Sequence, residues 1–244
     1  METYFALDYT GAPFELLGPA HLAFLALVAL GALCLPLLKG KSARFYRRFE
    51  RIYVAASITN ELAYHLWRAL TGTWYVQTML PLHLCSVFVV LNAILLLSHN
   101  RRIYEYSYFL GLGGALQALL TPDAGIYGLP HFRAFQTLIA HGLIACAPLY
   151  MTTVYGFRPT WRSIPRVFLG ANIYMLVIGV VNWALGSNYM FIARKPDTAS
   201  LIDLLGPWPW YILALEAIGL LMCLVLYLPF ALRDLRRRAA APAA

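Results

Sequence analysis

The sequence has few charged residues. Only 12% of its 244 residues are Asp, Glu, Lys or Arg, whereas about 25% is typical of soluble domains. By contrast, 61% of the residues are apolar and the mean hydropathy is +0.64. This composition excludes an ordinary water-soluble enzyme, and we expect the chain to lie in a lipid bilayer.

Signs of disulfides, of a cleaved leader and of a nucleic-acid partner are also missing. The four cysteines (Cys34, Cys85, Cys146 and Cys223) lie in apolar stretches, so we expect free thiols. The first residues carry no basic region of the kind that opens a signal peptide, so we expect the first apolar segment to stay in the mature chain. The net charge is +8, but the basic residues stand in short gaps between apolar stretches, where they would meet lipid headgroups rather than nucleic acid.

Seven apolar stretches are long enough to cross a bilayer, which takes about 20 helical residues. The gaps between them are short and leave no room for a soluble domain. The sequence therefore predicts an all-α fold, a polytopic membrane helix bundle with seven transmembrane helices. It predicts a single domain over residues 1–244, with a short basic tail over residues 233–244. The seven stretches are Leu17–Leu38, Ile52–Leu70, Val76–Ser98, Ile103–Thr121, Ala134–Val154, Val167–Gly186 and Pro207–Leu232.

The gaps differ in their content of Lys and Arg. Alternate gaps divide these residues 15 to 4, and the poorer side holds only Arg68, Arg133, Arg194 and Lys195. Because basic loops stay in the cytoplasm, this split predicts an external N-terminus and a cytoplasmic C-terminus in a multi-pass protein of the cytoplasmic membrane. Five of the six tryptophans fall at the outer ends of the stretches, where their rings prefer the interface, in agreement with this orientation.

Several polar residues lie inside the apolar stretches. A polar or charged side chain in hydrocarbon costs about 3 kcal/mol, so such residues are expected to face the interior of a bundle and often mark a working site. Counting about 1.5 Å per residue from the outer ends brings them to one layer in the outer half of the membrane. They predict a polar cavity that opens toward the outer leaflet. The residues are Asn60, Glu61, His65, His83, Cys85, His141, Asn172, Asn182 and Glu216.

Cys85 differs from the other cysteines in its setting. Pro81 lies one turn before it, and proline removes a helix hydrogen bond and opens the backbone. His83 is a poor base for this thiol, since two residues along a helix turn the side chains about 200° apart. His141 lies at a comparable depth in another stretch, and a thiol becomes nucleophilic beside an imidazole. The pattern favours a Cys85–His141 pair, although a lone intramembrane histidine is just as readily a packing residue.

Glu61 and His65 are four residues apart and therefore share a helix face. They form either an intrahelical pair or part of a working site. Together with His83, Cys85 and His141 they are suitable zinc ligands in kind. They lack, however, a tight ligand spacing such as HxxxH or CxxC. We therefore expect no metal and no cofactor.

Five short motifs follow one another in an order that is more specific than any one of them. They are LPLHLC (Leu80–Cys85), YFLGLGGALQALLTPD (Tyr108–Asp123), the segment Phe135–Gly142, NYMFIARKP and GPWPWYILALE. This set resembles the YwaF-type bacterial integral membrane proteins, a family that animal transmembrane protein 164 also resembles. The resemblance extends from about His21 to Leu232, which is nearly the whole chain.

The resemblance implies an activity. The animal relative implies an acyltransferase that moves fatty acyl chains onto lysophospholipids through a cysteine and a histidine, which map onto Cys85 and His141. Membrane lipids are then the substrate. A tetrahedral oxyanion needs donors, and Asn60, Asn182 or Thr137 stand at about the right depth. Cations at the outer rim suit a headgroup phosphate. The substrate-binding residues expected around the pair are Asn60, Glu61, His65, His83, Asn182, Arg133, Arg194 and Lys195.

Other functions are compatible with the same residues. An outward-open transporter or solute-binding protein would use Glu61, His65 and Glu216 as proton or substrate partners, although the chain shows no internal repeat of the kind common in transporters. A metal-dependent lipid hydrolase would use a zinc-bound water as nucleophile. In a structural or sensory membrane protein the polar layer would only fix the register of the helices.

Overall fold

A computed structural model describes residues 2–122, 124–196 and 201–239. Every regular element within these ranges is a helix, which confirms the all-α prediction. Asp123 and residues 240–244 of the predicted tail lie outside the described residues. The helices are α1 Glu2–Phe5, α2 Pro19–Cys34, α3 Ala43–Leu70, α4 Val76–Met79, α5 Leu84–Ser98, α6 Arg101–Tyr106, α7 Leu112–Leu120, α8 Phe132–Thr153, α9 Ser163–Leu185 and α10 Trp210–Ala239, with short 3-10 helices at Leu35–Leu38, Tyr189–Phe191 and Leu201–Leu205 and a π-helical turn at Ser107–Gly111.

Within the described part of the chain, four helical segments are long and apolar enough to cross a membrane by themselves. The other three predicted stretches coincide with helices that are more polar, shorter or interrupted: α3 begins with a basic segment, α5 has 15 residues, and the π-helical turn separates α6 from α7. The number of spans and the orientation of the termini therefore remain predictions. The four segments are Pro19–Leu38, Phe132–Thr153, Ser163–Leu185 and Trp210–Arg237.

Helix α8 lies at the centre of the fold. It packs against α2, α3, α5 and α7, and α3 and α5 also pack against each other. In the most apolar 18-residue stretch of α8, 67% of the residues are buried. In the corresponding stretches of α2, α9 and α10, only 11%, 17% and 11% of the residues are buried. Those three helices leave apolar faces uncovered, as lipid-facing helices do. The junction of α3, α5 and α8 is the part of the molecule that positions the candidate site.

The third predicted stretch is interrupted. Its helix stops at Met79 and restarts at Leu84, because Pro81 has no N–H and keeps Leu80 in an extended conformation. The freed backbone groups are bound by a tyrosine that comes much later in the chain. Tyr189 donates its hydroxyl to the Val76 carbonyl at 2.5 Å and accepts the Leu80 N–H at 2.9 Å. Residues 80–83 are thus a fixed loop rather than a continuous helix.

A buried carboxylate ties the opposite end of the bundle together. Glu50 on α3 is 4% exposed, and its Oε1 accepts the hydroxyls of Tyr150 at 3.1 Å and Tyr155 at 2.6 Å. The same oxygen lies 3.1 Å from Nε2 of His99, which follows α5 in a left-handed conformation. This cluster was not predicted from the sequence, because Glu50 stands among basic residues that are exposed. Its contacts fix how α3, α5 and α8 meet.

Candidate functional site

A thiol and an imidazole from two helices meet inside the bundle. Cys85 is the second residue of α5, and its Sγ lies 3.1 Å from Nε2 of His141, midway along α8. The other ring nitrogen, Nδ1, lies 2.7 Å from the carbonyl oxygen of Thr137. Because a carbonyl only accepts hydrogen bonds, Nδ1 carries the hydrogen of the neutral ring and Nε2 is the acceptor. The thiol therefore donates to Nε2, which is how a nucleophile is held by its base.

The thiol also lies at the start of a helix. His83 occupies the N-cap position of α5, and its side chain does not cap the helix. The first-turn N–H groups of a helix have no acceptor within the helix and form the positive end of its dipole. The amides of Cys85 and Ser86 belong to this first turn. Their position favours negative charge at Sγ and beside it.

The pair lies where α5 packs against α8, beside α3. Cys85 and His141 are both partly exposed although they lie deep in the bundle. Arg133 comes eight residues before His141, about 12 Å along α8. A cation therefore lies in the first turn of α8, about two helical turns from the imidazole.

Arg133 is held in place from two sides. Its Nη1 donates to Oε1 of Gln136 at 2.5 Å. Its guanidinium lies 4.3 Å above the ring of Tyr64 on α3, a cation–π distance. The neighbouring Asn60 donates to the Gln136 carbonyl at 3.2 Å. These contacts hold Asn60 and Arg133 at the interface between α3 and α8.

The predicted Glu61 and His65 form the intrahelical pair that was one of the two alternatives. His65 Nε2 lies 3.7 Å from Glu61 Oε1, and His65 Nδ1 accepts the indole N–H of Trp74 at 3.0 Å. His65 therefore links α3 to the loop before α4. Glu61 lies one helical turn before His65 on the same face of α3.

Asn182 and Thr137 have structural hydrogen bonds. The Asn182 amide accepts from the Ser187 hydroxyl and the Tyr189 N–H, both at 2.8 Å, and donates to the Tyr189 carbonyl at 3.0 Å. It thereby shapes the turn that follows α9. The Thr137 hydroxyl donates to the Arg133 carbonyl at 2.9 Å. The third predicted oxyanion donor, Asn60, has a second amide hydrogen besides the one that it donates to the Gln136 carbonyl.

The predicted rim cations Arg194 and Lys195 lie in the loop after that turn. Asn188 Oδ1 accepts the Arg194 N–H at 3.0 Å, and Lys195 Nζ lies 3.9 Å from Oδ1 of Asp203. These contacts hold the loop itself. Arg194 and Lys195 thus belong to a loop, whereas Arg133 belongs to α8 and contacts Gln136 and Tyr64 within the bundle.

His83 is placed differently from the sequence prediction. It was expected within a helix, about 200° from Cys85, but it precedes the helix as its N-cap. Its Nδ1 accepts the Met190 N–H at 3.3 Å, and its ring lies 5.3 Å from the rings of Tyr189 and Phe191. His83 thus anchors the loop that leads to the thiol. The helical geometry assumed for it was wrong because Pro81 delays the start of α5.

A strained turn holds this loop from the other side. Met190 and Phe191 have φ angles of 58° and 54°, which are uncommon for residues other than glycine. Tyr211 donates its hydroxyl to the Phe191 carbonyl, and Tyr174 on α9 donates to the Leu82 carbonyl at 2.9 Å. The sequence motif NYMFIARKP contains the turn, but nothing in it revealed the conformation.

We expect Tyr189→Phe to loosen the loop before Cys85. The substitution removes the acceptor of the Leu80 N–H and the donor to the Val76 carbonyl without changing the size of the ring. Loss of a buried hydrogen bond worth about 1.4 kcal/mol speeds amide exchange about 10-fold. Hydrogen–deuterium exchange of a peptide covering residues 80–86 measures the change.

A matched control for this variant is Tyr106→Phe, which removes a hydroxyl bound to the Arg166 carbonyl far from the loop. It should leave exchange over residues 80–86 unchanged. Equal exchange in the parent protein and in Tyr189→Phe would show that Tyr189 does not hold the loop.

The predicted polar layer is divided between two places in the structure. Asn172 on α9 donates to Oε2 of Glu216 on α10 at 3.0 Å. This pair lies beside an apolar groove of about 560 Å³ between α9 and α10, whose mouth carries Trp183 and Trp208. Cys85 and His141 do not line that groove. The sequence placed all of these residues at one depth but could not assign them to faces.

All four cysteines are free thiols, as predicted. Within the ranges that the structure describes, no three His, Cys, Asp or Glu side chains are grouped so that they could hold a metal ion. The zinc-dependent alternative therefore has no set of donors there.

A family model described as the TMEM164 family matches residues 16–227. No curated protein sequence and no solved structure matches the chain.

Proposed function

The chain belongs to the TMEM164 family, and we propose that it is a membrane-embedded acyltransferase that moves fatty acyl chains from phospholipids to lysophospholipids. The observation that carries this proposal is the 3.1 Å contact between Cys85 Sγ and His141 Nε2. A thiol with an imidazole acceptor at the start of a helix suits covalent catalysis on an ester. The apolar surface around it would bring the ester from the bilayer.

The first half of the proposed reaction loads the enzyme. Cys85 Sγ attacks the carbonyl carbon of a phospholipid ester while His141 Nε2 takes the thiol proton. The ester C–O bond breaks, and His141 returns the proton to the departing lysophospholipid oxygen. The acyl chain is then bound to Cys85 as a thioester.

In the second half of the proposed reaction, Cys85 is the leaving group and a second lysophospholipid receives the acyl chain. The hydroxyl of a different lysophospholipid loses its proton to His141 and attacks the thioester carbonyl. The C–S bond breaks, and the Cys85 thiolate regains the proton from His141. The enzyme returns to its starting state, and no external acid, base or cofactor is consumed.

Surrounding groups would stabilise the charges that form. Both tetrahedral intermediates carry an oxyanion, for which the first-turn amides of α5 and the Asn60 side chain are suitable donors. Arg133 would bind the headgroup phosphate by charge-assisted hydrogen bonds. Glu61 would contact the substrate from α3, while Arg194 and Lys195 would meet headgroups at the outer loop. For His65, His83 and Asn182 the observed contacts support a role in holding the walls and the loop.

We also propose that the chain crosses the cytoplasmic membrane seven times, with the N-terminus outside. Each of the seven apolar stretches is covered by one helix or by consecutive helices. The 15 to 4 division of Lys and Arg supports the orientation. In this arrangement the Cys85–His141 pair lies in the outer half of the membrane, so the substrates are lipids of the outer leaflet.

The test is lipid exchange in reconstituted vesicles. Purified protein is placed in vesicles that contain phosphatidylethanolamine with isotope-labelled acyl chains and unlabelled lysophosphatidylcholine. We expect labelled phosphatidylcholine by mass spectrometry, and none in protein-free vesicles. Labelled free fatty acid alone would indicate a hydrolase. Absence of any lipid product, together with solute uptake driven by a pH gradient, would indicate a transporter.

A further inference from the structure

A proline inside α8 leaves a backbone carbonyl that needs an outside donor. Pro148 has no N–H, so the Ile144 carbonyl lacks its partner within the helix. Asn92 on α5 donates its Nδ2 to this oxygen at 3.1 Å. Because only the nitrogen of the amide can donate, this bond fixes the orientation of the Asn92 side chain. Its Oδ1 is directed away from Ile144.

The fixed amide leaves its own oxygen without a donor. Asn92 is 4% exposed, and Oδ1 has no hydrogen-bond partner within the described ranges. A cavity of about 10 Å³ lies beside it, lined by Ser57, Val89, Asn92, Ala140, Leu143 and Ile144. This volume is close to that occupied by one water molecule, about 10–15 Å³.

Ser57 cannot supply the missing donor. Its hydroxyl hydrogen is donated to the Tyr53 carbonyl at 3.0 Å, so Ser57 Oγ can only accept from a group in the cavity. Two of the residues that line the cavity thus carry side-chain oxygens that need a donor or can accept one, Asn92 Oδ1 and Ser57 Oγ. A molecule that fits must be small and must donate two hydrogens, and water meets both conditions.

We propose that one water molecule is bound in this cavity and donates to Asn92 Oδ1 and to Ser57 Oγ. It completes a link from α3 through α5 to α8. Val89 comes four residues after Cys85, and Ile144 comes three after His141, so the water lies about one helical turn from the reactive pair. It holds in register the helices that carry the thiol and the imidazole. The proposal does not depend on the proposed function.

The direct test is an experimental structure of the full chain at a resolution that shows ordered water. We expect density between Asn92 Oδ1 and Ser57 Oγ, with hydrogen-bonding distances to both. A well-ordered but empty cavity, or an Asn92 amide turned so that Oδ1 meets another donor, would overturn the proposal. This test needs no variant.

A second test is a double-mutant cycle that combines Ser57→Ala with Asn92→Leu and follows thermal unfolding in detergent. We expect Ser57→Ala to lower the Tm of the parent protein by about 2–4 °C more than the matched control Ser98→Ala. Ser98 makes the same bond to the carbonyl four residues back but is exposed. In the Asn92→Leu background this difference should fall below about 1 °C. Equal differences in both backgrounds would show that no water couples the two residues.

Discussion

Replacing Cys85 by serine is expected to abolish acyl transfer in vesicles, with a fall in rate of at least about 10³-fold. A hydroxyl keeps the hydrogen bond to His141 Nε2 but is a much weaker nucleophile than a thiol beside an imidazole. The exchange of labelled acyl chains between headgroups measures the rate. Folding is checked by the elution volume and Tm of the variant, which should match those of the parent protein.

The control is Cys146→Ser, a change of the same kind on α8. Cys146 comes five residues after His141 and lines an apolar groove on the other side of that helix. Its variant should transfer acyl chains at the parent rate. With donor lipid alone, the parent protein should gain the mass of one acyl chain on Cys85, which hydroxylamine removes. Transfer that persists in Cys85→Ser would contradict the thioester mechanism.

The second large effect is expected for His141→Ala, which should slow acyl transfer about 10²–10⁴-fold. The substitution removes the acceptor of the thiol proton and the donor to the leaving oxygen. It also removes the side-chain hydrogen bond to the Thr137 carbonyl, so a loss of activity alone would not separate chemistry from a structural change. His141→Gln separates the two effects, because its amide can still donate to that carbonyl but cannot carry a proton.

We therefore expect His141→Gln to have nearly the Tm of the parent protein and to be almost as slow as His141→Ala. Single-turnover loading of Cys85 from labelled phospholipid is the appropriate measurement, since it reports the step in which the proton is first removed. His99→Ala is the control, because His99 lies at the other end of the bundle beside Glu50. Fast loading in His141→Gln would show that the imidazole is a packing residue, the alternative that the sequence allowed.

The meeting of Cys85 and His141 was predictable because depth in a helix follows from counting residues. Both residues belong to helices with a regular rise, so their levels in the membrane could be estimated from sequence positions alone. Which side chains face each other at a given depth depends on helix rotation and packing. Counting residues therefore grouped Glu216 with the pair, although Glu216 bonds to Asn172 beside a different groove.

Other features left no usable signal in the sequence. Pro81 indicated a break but not its length, because the loop is fixed by Tyr174 and Tyr189, about 100 positions later in the chain. The positive φ of Met190 likewise follows from its neighbours, since methionine does not favour it. Glu50 stood among basic residues, and only the folded structure shows its tyrosine partners.

The turn at Met190 and Phe191, in the C-terminal half of the chain, supports the loop before α5 in the N-terminal half. Its left-handed backbone is uphill for both residues by about 1 kcal/mol or more each, so it persists only while Asn182, Tyr211 and His83 hold it. If these hydrogen bonds are lost, the turn relaxes, and the start of α5 loses the contact between Met190 and His83. Substitutions in the last third of the chain can therefore shift the start of the helix that carries Cys85 without contacting that residue.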